Sequence, residues 1–299
     1  MAFNVSGLSA YVQENRDNIL RKVILEGDTI SKMAKQLGVK TKDRLHYFSL
    51  SPVIQDGKGC GFKASGTTNF TEKDIETAVM KVNDEWCNDD LLGKYAEYLV
   101  RFGADANAEN LAFEQLIADE LVKNINKEME KRVWQGKKSN DLIDGLLTQA
   151  VSDENTIKAT YKSGATLYEK VKAVIMAIPE EIIDEAVVFV SPATFRKLTF
   201  ELLEMDNSYI TPSEIEQGEF YFPGTSIAVH KTMGLINQDE AIYASTWSNL
   251  VYATDMMNDK EELRFWFSDD ADLHRVKIKW NAGVTTYFSD YVVIGMPGA

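Results

Sequence analysis

Residues 45–82 read LHYFSLSPVIQDGKGCGFKASGTTNFTEKDIETAVMKV, and residues 107–135 read NAENLAFEQLIADELVKNINKEMEKRVWQ. The first stretch is a long hairpin with limbs at 45–54 and 69–82. Between them lie Asp56-Gly57-Lys58-Gly59-Cys60-Gly61 and then Gly66. Glycines at this density give a pliable turn without side chains to anchor it in a core. Pro52 in the outgoing limb suits an edge strand, because proline cannot donate to a ladder. In the second stretch Phe113, Ile117, Leu121, Ile125, Met129 and Val133 recur every fourth residue, and Leu116 and Val122 widen the stripe. That period predicts a helix with one packed face. At 1.5 Å per residue it would be about 40 Å long, well beyond the usual globular helix of about 11–12 residues. Acidic residues fill its first half and Lys123, Lys127, Lys131 and Arg132 its second, which suits the helix dipole. Asp119 with Lys123 and Glu128 with Arg132 are expected to pair across a turn, and Gly136 ends the helix. Neither hairpin nor helix can bury its apolar surface alone.

The rest of the chain supplies part of what they need. Residues 1–43 read as an arm, with a short helix over 11–24 and a second over 28–37, where Ile30, Met33 and Leu37 keep helical spacing before Gly38. After residues 84–90, an acidic linker, 91–102 reads as a connecting helix. Further on, 165–177 is helical, Ala-Val-Val-Phe-Val-Ser at 186–191 is a buried strand, and Pro192 starts another helix through Phe195, Leu198 and Leu202. Strand between helices is an α/β piece. Strands follow at 226–230, 241–244, 250–255, 263–267, 274–280 and 284–295, the late ones rich in β-branched and aromatic residues. The expectation is one α/β unit plus one sheet crossed by the long helix.

Composition narrows the function classes. A compact chain of this mass buries about three-quarters of its unfolded surface, enough for a sizeable core. The two cysteines, Cys60 and Cys87, are too few for a disulfide framework. No apolar run approaches the roughly 20 residues that cross a bilayer, and residues 1–10 lack the segments of a signal peptide. A net charge of −14 argues against a protein whose main work is gripping phosphates, since Lys and Arg dominate affinity for nucleic acid. The nearest basic cluster, Lys131-Arg132 with Lys137-Lys138, sits at a helix C-terminus, where cations complement the dipole without a ligand.

In order along the chain, these pieces resemble the major capsid proteins of tailed double-stranded DNA bacteriophages, the Hong Kong 97 type fold. The resemblance rests on arm, extended loop, long helix ending Arg132-Val133-Trp134-Gln135-Gly136, then Val187-Val188-Phe189-Val190-Ser191-Pro192-Ala193-Thr194-Phe195. It continues through Phe222-Pro223-Gly224-Thr225-Ser226-Ile227-Ala228-Val229 and Val276-Lys277-Ile278-Lys279-Trp280-Asn281-Ala282-Gly283-Val284 to Asp290-Tyr291-Val292-Val293-Ile294-Gly295. It implies an α+β fold: an N-terminal arm (1–43), an extended β-hairpin loop (44–84), a peripheral domain (85–136 with 250–282) carrying a spine helix at 107–135, and an axial domain (137–249 with 283–299). It also implies self-assembly into pentamers and hexamers of an icosahedral head around the genome, with no cofactor. The implied partners are copies of the chain, a separate scaffolding protein, a portal protein and decoration proteins, with no membrane. The covalent lysine to asparagine bond of some members is not carried over, since neither of its partner residues is matched. Phe48, Val53 and Ile54, Phe62 near the tip, and the tip residues Gly57, Gly59, Cys60, Gly61 and Gly66 are the candidates for contact with a neighbouring subunit.

Catalytic readings fare less well. His46, His230 and His274 fall in separate strands, and none stands beside a serine, cysteine and acid in a nucleophile arrangement. Ser268-Asp269-Asp270-Ala271-Asp272 lacks the glycine and distal glutamate of a calcium loop, and Gly57-Lys58-Gly59 lacks the following Lys-Ser/Thr of a phosphate loop. Structural roles are expected for all of them. Two rival readings stay open on sequence: an encapsulin-like nanocompartment shell, and a soluble α/β enzyme with a long helix.

Overall fold

The computed structural model describes residues 11–51, 53–55, 65–87, 109–204, 219–255, 262–268, 270–271 and 273–297. Its helices are α1 (Arg16–Leu25), α2 (Asp28–Lys32), α3 (Glu109–Gln135), α4 (Lys138–Asp141), α5 (Leu146–Ser152), α6 (Leu167–Met176) and α7 (Pro192–Glu204). The strands are β1 (Ala34–Leu37), β2 (Lys42–Ser51), β3 (Thr67–Glu76), β4 (Ala78–Cys87), β5 (Ile157–Tyr161), β6 (Ala186–Val190), β7 (Glu219–Tyr221), β8 (Ala228–Lys231), β9 (Ile242–Thr246), β10 (Leu250–Thr254), β11 (Glu262–Ser268), β12 (Leu273–Thr286) and β13 (Val293–Pro297). The helix expected at 91–102 lies outside the described residues.

The fourfold apolar spacing of α3 does the work that the sequence assigns to it. Val122, Ile125, Met129 and Val133 are buried, and they share a core with Met80, Val276, Ile278 and Trp280. Those partners come from β4 and β12 of a five-stranded sheet ordered β1-β10-β12-β11, with β4 also on β12. Burying each such side chain stabilises by about 1.5–3 kcal/mol, so this contact outweighs any charge pairing along the helix. The expected turn-to-turn pairs are indeed replaced by other partners. Asp119 meets Lys22 of α1 at 3.2 Å, Lys123 meets Glu120 at 3.2 Å, and Arg132 reaches the Asp141 carbonyl at 3.5 Å. Pairs worth a few tenths of a kcal/mol yield readily to tertiary neighbours.

Two stretches differ from their local pattern. The helix expected over 28–37 stops at Lys32, and Ala34–Leu37 is instead a strand running parallel to β10, with Ala34 facing Val251. Nor does the segment stand apart as an arm: Ile19, Leu20, Val23, Ile24 and Ile30 are buried in the same core as α3. The return limb of the hairpin is also divided. Thr67–Glu76 pairs with β2, whereas Ala78–Cys87 pairs with β12 along ten residues, so Asp84 to Cys87 lie in a strand and not in a linker. The division point is set by Gly283. There the ladder of β12 with β4 ends, at Ala282, and its ladder with β10 begins, at Gly283. A Cβ on Gly283 would lie 2.2 Å from the Glu76 carbonyl oxygen, so only glycine lets the hairpin peel away there.

The second sheet has six strands in the order β5-β13-β9-β6-β8-β7. All five residues of β6 are buried, as a continuous apolar run at a sheet centre requires. Ser191 follows and accepts from Thr194 N at 3.0 Å, starting α7. Thr166 and Glu169 form a capping box at the start of α6. Phe195, Leu198, Val171 and Val174 pack these helices on one face of the sheet. On the other face Trp134 of α3 meets Phe189 and Tyr243, with ring centroids 5.0 and 5.2 Å apart. The strands expected at 274–280 and 284–295 are one long β12, then a 3-10 turn at Ser289–Tyr291, then β13. No helix among the described residues is long and apolar enough to cross a membrane.

Candidate functional site: the hairpin and its root

Strands β2 and β3 pair over ten positions, from Lys42 opposite Glu76 to Ser51 opposite Thr67. Near the root the sequence alternates charge on β2 against opposite charge on β3. Lys42 meets Asp74 at 2.7 Å, Arg44 meets Glu72 at 2.7 Å and Asp74 at 3.4 Å, and His46 Nδ1 lies 3.5 Å from Glu72. The Lys42 ammonium holds the Asp74 carboxyl below its ordinary range. Exposed pairs of this kind add little stability, but a one-residue slip would turn every attraction into a mismatch, so they fix the register.

The opposite face of the same residues meets the body. Leu45 and Ile75 are buried in a small cluster with Val39, Val251 and Ala253. Beside them Lys73 donates to Thr286 Oγ1 at 2.9 Å and to Ser289 Oγ at 2.8 Å, and lies 4.0 Å from Asp153. Burial pushes the Lys73 ammonium below its ordinary range, against the pull of Asp153 and Asp290. Glu76 is tied to Lys138 at 2.5 Å. The root is thus an apolar plug ringed by polar ties. Sequence reading missed Lys73 and Ile75, although an isolated isoleucine within Thr71-Glu72-Lys73-Asp74-Ile75-Glu76 was a readable sign of one buried position.

At the far end, Val53 is 57% and Ile54 98% exposed, and Gln55 Nε2 donates to Ser65 Oγ across the base of the tip. Phe48 lies in β2 in register with Phe70, and Gly66 is exposed ahead of β3. Gly57, Gly59, Cys60, Gly61 and Phe62 lie outside the described residues, as does Pro52. Of the candidates, the structure places Phe48, Val53, Ile54 and Gly66 along this hairpin.

The histidines do not converge. His46 is exposed on β2, whereas His230 on β8 and His274 on β12 are buried, the latter stacked on Phe265 with centroids 5.8 Å apart. Among the described residues no group of three or more His, Cys, Asp or Glu side chains is placed to hold a metal. Glu181, in the acidic stretch at 180–185, accepts from the Tyr291 hydroxyl at 2.7 Å.

No family model and no curated protein matches the sequence. Solved structures do match. A chain of the satellite phage P4 procapsid, which includes the size determination (Sid) protein, superposes with a TM-score of 0.61 at 10% identity, over 96% of this chain and 91% of its own. The capsid of an empty GTA particle gives 0.59 at 10% identity over 91% and 90%. The capsid of Myoviridae phage XM1 gives 0.55 at 12% identity over 91% of each chain. With hairpin, long helix on a mixed sheet and α/β unit in that order, the chain has the α+β fold of tailed-phage major capsid proteins, the Hong Kong 97 type.

Proposed function

We propose that this chain is a structural major capsid protein, whose copies assemble as pentamers and hexamers into an icosahedral phage head enclosing double-stranded DNA. The observation that carries the proposal is the hairpin: a ribbon of ten paired positions, seated on its own body through the Leu45 and Ile75 plug, with Ile54 98% exposed near its tip. Such a ribbon gains its burial from a neighbour, and repeated head-to-tail contacts of that kind close rings. The match in fold to chains solved as capsids and a procapsid supports the same reading. In it, α3 with the five-stranded sheet is the peripheral domain and the six-stranded sheet with α6 and α7 the axial domain. The chain acts as a structural protein and not as an enzyme. A scaffolding protein, a portal and decoration proteins are its further partners, and its place is the virion, assembled in the bacterial cytoplasm.

Negative-stain microscopy of the purified protein tests this directly. Closed shells or capsomers are expected; a monomer at every concentration would overturn the proposal, and shells packed with protein cargo in place of DNA in infected cells would redirect it to a nanocompartment. Deleting residues 57–66 should leave a folded subunit that makes no stable shells. Normal particles from that deletion would remove the hairpin's role.

A further inference from the structure

Helix α2 begins after Gly27, which has no side chain to cap the free N–H groups of the first turn. The cap comes from α3: Glu130 Oε1 accepts from Thr29 N at 2.7 Å. Glu130 is 3% exposed, and its Oε2 has no hydrogen-bond partner among the described residues. Thr29 is fully buried; its hydroxyl accepts from Trp134 Nε1 at 3.0 Å and lies 3.2 Å from Thr232 Oγ1. Three segments therefore meet at one threonine: the N-terminal strap, the long helix, and the turn that follows β8.

The charged neighbours of the strap are few. Asp28 stands near Glu130 and raises its cost of ionising. Lys32 bonds Glu219 at 2.7 Å and lies 5.0 Å from the Trp247 ring centre. His230 Nδ1 is 2.7 Å from the same Glu219 oxygen. No cation pairs with Glu130 in this set. A carboxyl with one oxygen satisfied and the other buried without a donor suits the neutral acid, since an ionised one leaves an uncompensated charge in the core.

We propose that residues 27–33 form a proton-dependent strap, which clamps the long helix to the six-stranded sheet while Glu130 is neutral and loosens as Glu130 ionises. The strap belongs to the single subunit and stands whether or not copies assemble. Burial pushes the Glu130 carboxyl above its ordinary 4.5, against the hydrogen bonds from Thr29. Its contribution is thus fully present below 4.5 and is lost as pH rises through the raised value. His230 acts in the other sense. Burial and then Lys32 hold its imidazole below 6.5, so its contribution is present above 6.5 and is lost as pH falls through the lowered value.

Hydrogen exchange of the full chain, corrected for intrinsic rates and followed on peptides covering residues 27–33 from about pH 5 to 8.5, reads the strap alone. Wild-type protection should fall about tenfold or more as pH rises, whereas in Glu130→Gln, a neutral isostere, it should not fall, leaving only the opposite His230 dependence. Parallel profiles in the two proteins would overturn the proposal. So would a Gln variant whose strap is unprotected at every pH, because the neutral form is the one said to fit. Thr29→Val keeps the backbone N–H that Glu130 accepts but removes the hydroxyl ties. It should lower protection at all pH values and keep the slope; a flat profile in that variant would also refute the device.

Discussion

Gly234→Ala is the sharpest test of how the long helix is joined to the second sheet. Gly234 lies in the 3-10 turn Met233–Leu235, and a Cβ there would sit 1.9 Å from Trp134 Cδ1 and 2.6 Å from the Glu130 carbonyl oxygen. Ordinary contact begins at 3.4 Å, so the turn and the helix must part by about 3.4 − 1.9 = 1.5 Å. The ring has nowhere to go. Trp134 is fully buried, its Nε1 donates to Thr29, and its faces meet Phe189 and Tyr243. Parting also stretches the bonds from Gln135 Nε2 to the carbonyls of Gly234 and Ile236, now 2.6 and 2.9 Å. Overpacking costs about 1–3 kcal/mol and each of the two weakened hydrogen bonds about 0.5–1.5 kcal/mol, so the variant should lose about 2–6 kcal/mol. Urea unfolding followed by tryptophan fluorescence measures this. Gly164→Ala is the control, with φ +82 but nothing within 4 Å of the added carbon; it should lose about 1–2 kcal/mol from backbone strain alone. Equal losses in the two variants would refute the close approach of turn and helix.

Leu45→Ala should cost about 2–4 kcal/mol, as a buried leucine in a five-residue cluster, and should raise hydrogen exchange across Lys42–Glu76 before the rest of the chain; unchanged exchange there would mean that the plug does not hold the hairpin. Ile54→Asp should leave thermal unfolding within about 0.5 kcal/mol of wild type, since the side chain is 98% exposed, yet block particle formation in electron micrographs. Normal shells from this variant would take Ile54 out of the contact.

Much of the fold was legible because its signals are local. The period of α3, the unbroken apolar run of β6 and the start of α7 at Ser191-Pro192 each follow from side chains within a few residues, and each forms as read. The candidate site was legible as a hairpin, although the return limb expected at 69–82 ends its pairing with the outgoing strand at Glu76. Its root was not. Lys73 is defined by Thr286 and Ser289, and the plug by Val251 and Ala253, all supplied by strands far along the chain.

By itself, then, the sequence determined where the long helix and the buried central strand lie, because periodicity acts within one element. Only tertiary structure decided that residues 34–37 are a strand, since β10 offers them a ladder that outweighs their helical spacing. It alone divided the return limb at Thr77, where the ladder of β4 with β12 ends beside Gly283. And it alone made Glu130 the cap of a helix that has none of its own, because a free N–H is satisfied by whatever acceptor the packing brings within reach.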